Sequence, residues 1–339
     1  MRVRLSNFYG REPLAIGSVH VAIVAAPPDV LPTSDRVVTF SGSAGVSLAP
    51  GTEAYSDPVD LAVAGRSALA VSVYIPGRFA AHTEHSLARD AFISPAGDHA
   101  GMAVFPVASK VQHVFFVTAI DVLAKAPARA IVALGDSITD LTNDAGNHRW
   151  SDFLASRLDA RQAGTHDRIV AVANAGIAGN EVADDVGGDS MLKRFERDVL
   201  SQSGVGYVIV LGGINDIGFS HGTVKAERII TGYQELIRRA HAKGLKIYGG
   251  TLTPFGGSNN PVSQLVNYYS DAGEHTRQSL NTWIHSSGAF DGVLDFDKAL
   301  RDHGHPSHLL PHYDSGDRLH PSDVGFQQMA SIINLSWFR

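Results

Sequence analysis

The stretch IVALGDSITD, residues 131–140, joins a continuous apolar run to a short polar turn. Residues 131–134 form the kind of run that a parallel sheet buries on both faces, and Gly135 permits a tight turn directly after it. The hydroxyl of Ser137 is therefore predicted to stand at the carboxyl end of a buried strand, where parallel α/β proteins hold their ligands. An alternative interpretation makes Ser137 only a helix cap, with Asp140 completing a capping box.

Similar apolar runs recur along the rest of the chain, and stretches of helical period separate them. The predicted strands are Ala130–Leu134, Ile169–Ala173, Tyr207–Leu211, Lys246–Thr251 and Gly292–Phe296. Residues 224–244 carry apolar side chains at intervals of three and four, and Gly244 can end that helix. Strands that alternate with helices in this way predict an α/β domain with a doubly wound, five-stranded parallel sheet, whose ligand crevice lies at the carboxyl ends of the strands.

The first 126 residues show a different periodicity, close to two. In LAVSVYI, residues 69–75, apolar side chains occupy alternate positions, as in a half-buried strand. Other short runs, separated by clusters of Pro, Gly, Ser and Asp, are Val19–Val24, Arg36–Phe40, Val59–Val63 and Val111–Thr118. The pattern predicts an all-β sandwich or jelly roll over residues 1–126, followed by the α/β domain over residues 127–339.

The composition excludes several classes of protein. Lys and Arg number 28 against 34 Asp and Glu, so the net charge is −6 and no basic field attracts nucleic acid. No apolar run approaches the roughly 18 residues of a membrane-spanning helix, so membrane insertion is not expected. The absence of cysteine excludes disulfides, thiolate catalysis and cysteine-ligated zinc. The composition does not indicate an oligomeric state.

A serine nucleophile needs a base, and the sequence Asp317-Arg-Leu-His320 offers one. An acid three residues before a histidine in an irregular loop can fold back so that its carboxylate accepts the Nδ1 proton. The Nε2 atom is then free to take the proton of Ser137. The alternative is an exposed aspartate beside a solvated histidine in a polar loop.

Two other strand-end loops contain groups that can donate hydrogen bonds to an oxyanion. Residues 174–180, NAGIAGN, follow the second predicted strand, and residues 212–216, GGIND, follow the third. A glycine N–H and an asparagine amide are suitable donors beside the N–H of Ser137. Taken singly, both loops are better explained as turns, with Gly176 and Gly179 in left-handed conformations and an Asx turn at Asn215 and Asp216.

In their order along the chain these groups resemble the SGNH hydrolases, also called GDSL esterases or lipases. The matching blocks are Gly135-Asp136-Ser137, Gly179, Gly213-Ile214-Asn215-Asp216 and Asp317 to His320. The resemblance covers residues 127–339 and implies a flavodoxin-like strand order. One departure is Ile138, where the family name has leucine, and this apolar exchange should be mild.

The resemblance also implies roles for individual residues. Ser137 is expected to be the nucleophile, His320 the general base and then acid, and Asp317 the residue that orients His320. The oxyanion hole would consist of the N–H groups of Ser137 and Gly179 and the side-chain amide of Asn215. Gly179 is preferred over Gly176 because it stands five residues after Asn174, as the donor glycine of the family does.

A narrower resemblance covers nearly the whole chain. Segments such as RVRLSNFYG, residues 2–10, and LLPHYDSGDRLHPSD, residues 309–323, are similar to bacterial two-domain SGNH esterases grouped with acetyl xylan esterases. It implies a carbohydrate-binding-like first domain and removal of acetyl groups from a small ester or an acetylated polysaccharide such as xylan. The alternatives are a lipase or broad-specificity short-chain esterase, and a catalytically inactive glycan-binding protein.

Further residues are candidates for substrate or metal binding. Asp136 lies next to the proposed nucleophile and is predicted to contact substrate. Tyr268 and Tyr269 occur in a Gly-, Asn- and Ser-rich loop after the fourth strand and are predicted to stack on a sugar ring or acyl chain of the substrate. The alternative is that both are surface aromatics without a function. Four histidines before Asp317 resemble a metal cluster in composition: His303, His305, His308 and His312. Because they are not spaced along a regular helix or strand, they are predicted to be polar loop residues instead. No metal and no cofactor are expected.

The start of the chain bears on its location. From Arg2 onward, directly after the initiator methionine, polar and apolar side chains alternate as in a β-strand. Residues 1–10 contain no apolar segment of the kind found in a secretory signal. We therefore expect an upstream segment to be missing. The protein would be secreted or periplasmic if that segment is a signal peptide, and cytoplasmic otherwise.

Overall fold

The computed structural model describes residues 1–78, 82–124, 127–141, 148–162, 169–259 and 266–339, with residues 87–89 described by their backbone alone. The contacts divide the chain into two compact units, Met1–Lys125 and Ala126–Arg339. The predicted boundary residue 126 lies outside the described residues. Each unit has a hydrophobic core of its own.

The first unit consists of antiparallel strands around one apolar core. Its strands are β1 (Arg2–Ser6), β2 (Leu14–Ile16), β3 (Ser18–Ala26), β4 (Asp29–Val30), β5 (Arg36–Val37), β6 (Val46–Leu48), β7 (Glu53–Tyr55), β8 (Leu69–Tyr74), β9 (Glu84–Ile93), β10 (Ser109–Phe115) and β11 (Val117–Asp121). Strand β3 pairs with β4, β5 and β8, β1 lies between β7 and β11, and two further sheets are β2–β6 and β9–β10. In β3, Val19 and Val21 are fully buried and alternate with half-buried positions, as a period of two requires.

One predicted strand of this unit is wrong. Residues 59–63 pair with no strand among the described residues, although Val59 is buried in the core. Pro58 has no N–H to donate to a ladder, and the N–H of Val59 donates to the carbonyl of Met1 at 2.7 Å. The apolar pattern of this segment therefore reflects burial of an irregular chain.

The second unit contains five parallel strands with helices between them. The strands are β12 (Ala128–Gly135), β13 (Ile169–Gly176), β14 (Val205–Leu211), β15 (Lys246–Gly250) and β16 (Gly292–Leu294). The helices are α1 (Ser137–Asp140), α2 (Trp150–Gln162), α3 (Met191–Phe195), α4 (Ile214–Phe219), α5 (Ala226–Ala242), α6 (Asp271–Ser286), α7 (Phe296–Leu300) and α8 (Asp323–Ser331). The strand order β13-β12-β14-β15-β16 is the flavodoxin-like one. The predicted fold class, an α/β domain after an all-β domain, is confirmed.

The register of the central strand brings three loops to one place. Gly135, the last residue of β12, pairs with Gly176 of β13 on one side and with Leu211 of β14 on the other. The loops that follow these three strands therefore leave the sheet side by side, at its carboxyl edge. This is the edge at which doubly wound sheets bind their ligands.

The helices bury the apolar stripes that their sequences carry. In α5, Ile229, Tyr233 and Leu236 are fully buried, and the backbone beyond the helix turns at Gly244 with φ of 72°. Trp150 at the start of α2 is also fully buried. Within the described part of the chain, no helix is both long enough and apolar enough to cross a membrane.

Candidate functional site

Ser137 is the first residue of α1, two residues after the end of β12, and its hydroxyl is not used as a helix cap. The cap is Asp136, whose Oδ1 accepts the N–H of Ile138 at 2.9 Å. The interpretation of Ser137 as a capping residue is therefore wrong. Because the preceding residue satisfies the helix start, the Oγ of Ser137 is available to another partner.

That partner is His320, which lies 183 residues further along the chain. Its Nε2 is 2.8 Å from Ser137 Oγ, and its Nδ1 is 2.5 Å from Asp317 Oδ2. An Nδ1 that donates its proton to the carboxylate leaves Nε2 without a proton and able to accept one. The three side chains therefore form one hydrogen-bonded series that ends at the serine hydroxyl.

The carboxylate of Asp317 is held by the backbone of its own loop. Its Oδ1 accepts the N–H groups of Leu319 and His320 at 2.9 and 2.8 Å, which leaves Oδ2 for the imidazole. Burial acts to raise the pKa of this group, but the hydrogen bond and charge of His320 and the two N–H donors outweigh it and hold the pKa well below the usual range. Asp317 is thus an anion at any pH at which the imidazole can act as a base.

The two donor loops are joined directly to each other. The side-chain Nδ2 of Asn215 donates to the carbonyl of Asn180 at 3.0 Å, and both residues are buried. Gly179, just before Asn180, has a φ of 77°, and the backbone of Gly187 packs so closely on it that a Cβ on Gly187 would come within 2.6 Å. The loops after β13 and β14 therefore have fixed relative positions beside the turn that carries Ser137.

Arg194 is a residue of this site that the sequence analysis missed. Its fully buried guanidinium donates to Gly135 O at 2.9 Å, to Ala175 O at 2.7 Å and to Asn180 Oδ1 at 2.9 Å. One side chain on α3 thus ties the ends of β12 and β13 to the loop of Gly179. The signal in the sequence is a cation on the apolar face of α3, between Met191 and Phe195, both of which are fully buried.

The structure corrects two of the three predicted substrate contacts. Asp136 is fully buried and acts as the helix cap described above. Tyr268 has only 2% of its surface exposed, so its ring cannot stack on a substrate. Tyr269 is half-buried, with its ring edge-on to Phe255 and its hydroxyl 3.3 Å from Asp271, and its contact with substrate stays a prediction.

The predicted absence of a metal site concerns the histidines before Asp317. Of these, His305 lies 3.5 Å from Asp302, and the Nδ1 of His308 is 3.0 Å from Ser307 Oγ. In the ranges that the structure describes, no group of three or more His, Asp or Glu side chains is arranged to hold a metal ion.

Three buried carboxyl groups lie beneath the site. Burial raises the pKa of Asp136 to about 7, that of Glu181 to about 7 and that of Asp216 to about 6. In Asp136, Oδ2 has no hydrogen-bond partner among the described residues, whereas Asp216 accepts the N–H of Val182. Ionisation of these groups therefore costs free energy in the folded state.

We expect the second unit to lose stability between about pH 4 and 7 because of Asp136. The pKa of Asp136 in the folded state lies above the unfolded value of 3.8. Its contribution to the free energy of unfolding is therefore complete below pH 4 and is lost as the pH rises through 7. One pKa unit corresponds to about 1.4 kcal/mol. Relative to Asp136→Asn, which keeps the capping oxygen, the free energy of unfolding of the wild type should fall by roughly 2–4 kcal/mol between pH 5 and 8.

Urea unfolding followed by tryptophan fluorescence measures this change, since all three tryptophans lie in the second unit. Asp302→Asn is the matched control. The hydrogen bond from the N–H of Gly304 lowers the pKa of Asp302. The stability of Asp302→Asn relative to the wild type should therefore not increase as the pH rises. If the free energies of unfolding of wild type and Asp136→Asn differ by the same amount at pH 5 and pH 8, the raised pKa assigned to Asp136 is contradicted.

A parallel α/β fold with a serine, an imidazole and a carboxylate in series at the carboxyl edge is the arrangement of a serine hydrolase. The chain belongs to the GDSL-like lipase/acylhydrolase family, whose family model matches residues 133–328. The resemblance on which the sequence analysis relied is confirmed. The chain is accordingly an ester hydrolase of this family.

Several solved structures are similar to the chain, and each of the three named here covers 60% of this chain. The aryl esterase of M. smegmatis is 16% identical over 95% of its own chain, with a TM-score of 0.46. An acetyl xylan esterase from Geobacillus stearothermophilus is 20% identical over 92%, with a TM-score of 0.45, and a carbohydrate acetylesterase from Sinorhizobium meliloti is 16% identical over 94%, with a TM-score of 0.44. No curated protein matches the chain.

Proposed function

We propose that the protein is a serine esterase that hydrolyses short-chain acyl esters, acetyl esters of carbohydrates in particular, through an acyl-enzyme. The observation that carries this proposal is the 2.8 Å contact between His320 Nε2 and Ser137 Oγ. It places a base within hydrogen-bonding distance of a hydroxyl at the ligand-binding edge of the sheet. The anionic Asp317 on the far side of the imidazole stabilises the cation that forms when the proton moves.

In the first half of the reaction, Ser137 Oγ forms a bond to the ester carbonyl carbon while its proton passes to His320 Nε2. The carbonyl oxygen becomes an anion, which the N–H groups of Ser137 and Gly179 and the amide of Asn215 stabilise. The bond to the alcohol oxygen then breaks, and His320 gives its proton to that oxygen. The alcohol leaves, and the acyl group stays on Ser137 as an ester.

In the second half, water takes the place of the alcohol. His320 accepts a proton from the water as its oxygen attacks the acyl carbon, and the same donors stabilise the second oxyanion. The bond to Ser137 Oγ breaks, and the serine recovers its proton from His320. The products are the alcohol and the carboxylic acid, and the chain returns to its starting state with no cofactor consumed.

The preference for short acyl groups has support from the sequence and from one side chain. The narrower resemblance to two-domain acetyl xylan esterases extends over both units of the chain. In the structure, Phe219 keeps 41% of its surface exposed, and its ring atoms lie 3.9 Å from where a Cβ on Gly179 would stand. We infer that this ring borders the acyl group beside the oxyanion hole and limits the length of the acyl chain.

Hydrolysis of p-nitrophenyl esters of two to twelve acyl carbons tests this preference. We expect kcat/KM to be highest for acetate and to fall at least about tenfold by eight carbons, since steric exclusion of a few methylene groups outweighs their apolar gain of about 0.8 kcal/mol each. Phe219→Ala should move the optimum to longer chains without abolishing activity. A maximum at eight or more carbons in the wild type would favour the lipase alternative instead.

The carbohydrate part of the proposal is tested by release of acetate from acetylated xylan, compared with hydrolysis of the synthetic acetate. Release at a comparable or higher kcat/KM supports a polysaccharide substrate. A protein that hydrolyses the synthetic ester but leaves the xylan untouched is a broad short-chain esterase. A protein that binds the glycan and is not labelled by a serine-directed fluorophosphonate is the inactive binding protein.

A further inference from the structure

The hydroxyl of Tyr268 lies against the side chain that the proposed mechanism uses to bind the oxyanion. Its Oη donates to Asn215 Oδ1 at 2.8 Å and also lies 3.1 Å from the carbonyl of Ile214. On its other side, the amide of Asn215 donates through Nδ2 to the carbonyl of Asn180 at 3.0 Å. All these contacts are buried.

Chemistry dictates the orientation of this amide. The carbonyl of Asn180 can only accept a hydrogen bond, so the NH₂ group of Asn215 must face it, and Oδ1 must face Tyr268. The Tyr268 hydroxyl is then the donor for that oxygen. One N–H of the amide is used by Asn180, and the second N–H is left for another acceptor.

The surrounding side chains hold the Tyr268 ring in place. A Cβ on Gly218 would come within 2.2 Å of the ring, so the missing side chain at this position of α4 makes the space that the ring fills. The rings of Phe219 and Phe255 pack edge-on against it, with centroids 5.5 and 6.1 Å away. Burial, with added effects of Asp136 and Asp216, raises the pKa of Tyr268 well above its usual value, so the hydroxyl stays protonated and able to donate.

We propose that Tyr268 is a positioning residue for the oxyanion hole: its hydroxyl fixes the rotation of the Asn215 amide so that the second N–H is directed at the ester oxygen. The inference rests on the proposed function. Without the hydroxyl, Oδ1 becomes a buried acceptor without a donor, and the hydrogen bond to Asn180 alone no longer fixes the direction of the second N–H. Donors of an oxyanion hole act on the transition state more than on bound substrate, so a misdirected amide lowers kcat more than it changes KM.

A double-mutant cycle of Tyr268→Phe and Asn215→Ala in the full chain tests this role, with p-nitrophenyl acetate as substrate. Tyr268→Phe should lower kcat about tenfold with little change in KM, and Asn215→Ala should lower kcat by about 10²–10³-fold. In the Asn215→Ala background, Tyr268→Phe should have less than about a twofold further effect, because the group through which it acts is already missing.

Tyr233→Phe is the matched control for loss of a buried hydroxyl. Tyr233 is fully buried on α5 and its hydroxyl donates to Gly212 O, in the loop that precedes Asn215. A purely structural effect of removing a buried tyrosine hydroxyl near this loop would appear in both variants. We expect Tyr233→Phe to lower thermal stability but to leave kcat within about twofold of the wild type.

Gly218→Ala provides a second variant, because the added methyl group pushes the Tyr268 ring aside without removing its hydroxyl. It should also lower kcat only when Asn215 is present. The inference is overturned if Tyr268→Phe leaves kcat unchanged while Asn215→Ala lowers it, or if Tyr268→Phe has the same effect in both backgrounds. If Asn215→Ala itself leaves kcat unchanged, the proposed oxyanion hole fails, and this inference fails with it.

Discussion

Ser137→Ala is expected to lower kcat for a short-chain aryl ester by about 10⁵–10⁶-fold, since it removes the atom that forms the acyl-enzyme. His320→Ala should cost a similar factor, because the two side chains are 2.8 Å apart and act as one unit. Steady-state hydrolysis of p-nitrophenyl acetate measures both effects, and circular dichroism checks that each variant folds.

Ser156→Ala is a matched control for the serine replacement. Ser156 lies on α2 and its hydroxyl donates to Asp152 O within the helix, so its removal should leave kcat near that of the wild type. A fluorophosphonate probe should label the wild type and Ser156→Ala on one residue and should not label Ser137→Ala. Substantial hydrolysis by a folded Ser137→Ala variant would contradict the proposed mechanism.

Asp317→Asn is expected to lower kcat by about 10⁴-fold while the fold is kept. The reason lies in the two backbone N–H groups that donate to Oδ1, because they require an oxygen at that position in the variant as well. The new NH₂ group must then face His320 Nδ1 and donate to it. The imidazole is thereby held with its proton on Nε2, where it cannot accept the proton of Ser137.

Asp314→Asn separates this effect from a general weakening of the loop. Asp314 accepts the N–H groups of Gly316 and Arg318 in the same segment but does not take part in the series from Asp317 to Ser137. It should change kcat by less than about fivefold, because it alters loop stability by no more than a hydrogen bond or two. Equal losses in the two aspartate variants would mean that Asp317 acts on the loop and not on the imidazole.

The five parallel strands could be predicted because strands covered on both faces consist of apolar residues without interruption, and few other structures need such runs. Strand ends were less predictable. β13 continues to Gly176 and β16 stops at Leu294, since pairing with neighbouring strands, not composition, decides where a ladder ends. In the first unit, the alternation of Val59–Val63 comes from burial of a segment that pairs with no described strand. Its backbone hydrogen bond to Met1 depends on the folded chain and could not be predicted from the local sequence.

The site was predictable to the extent that short motifs carry it. Ser137, Asp317 and His320 lie in local patterns whose order along the chain is that of the family, and the structure brings them together. Arg194 and Tyr268 lie outside any motif. Tyr268 is buried because Gly218, fifty residues earlier, leaves space for its ring, and no pattern local to either residue shows that relation. Secretion and glycan binding by the first unit stay predictions.

The carboxylate of Asp136 has a practical consequence for anyone who handles or engineers this protein. Asp136 caps α1 one residue before the nucleophilic serine, and its carboxyl group is shielded from water, so a negative charge there is destabilising. Long storage of the folded protein therefore favours mildly acidic solution. A search for variants that tolerate alkaline solution should begin at this position.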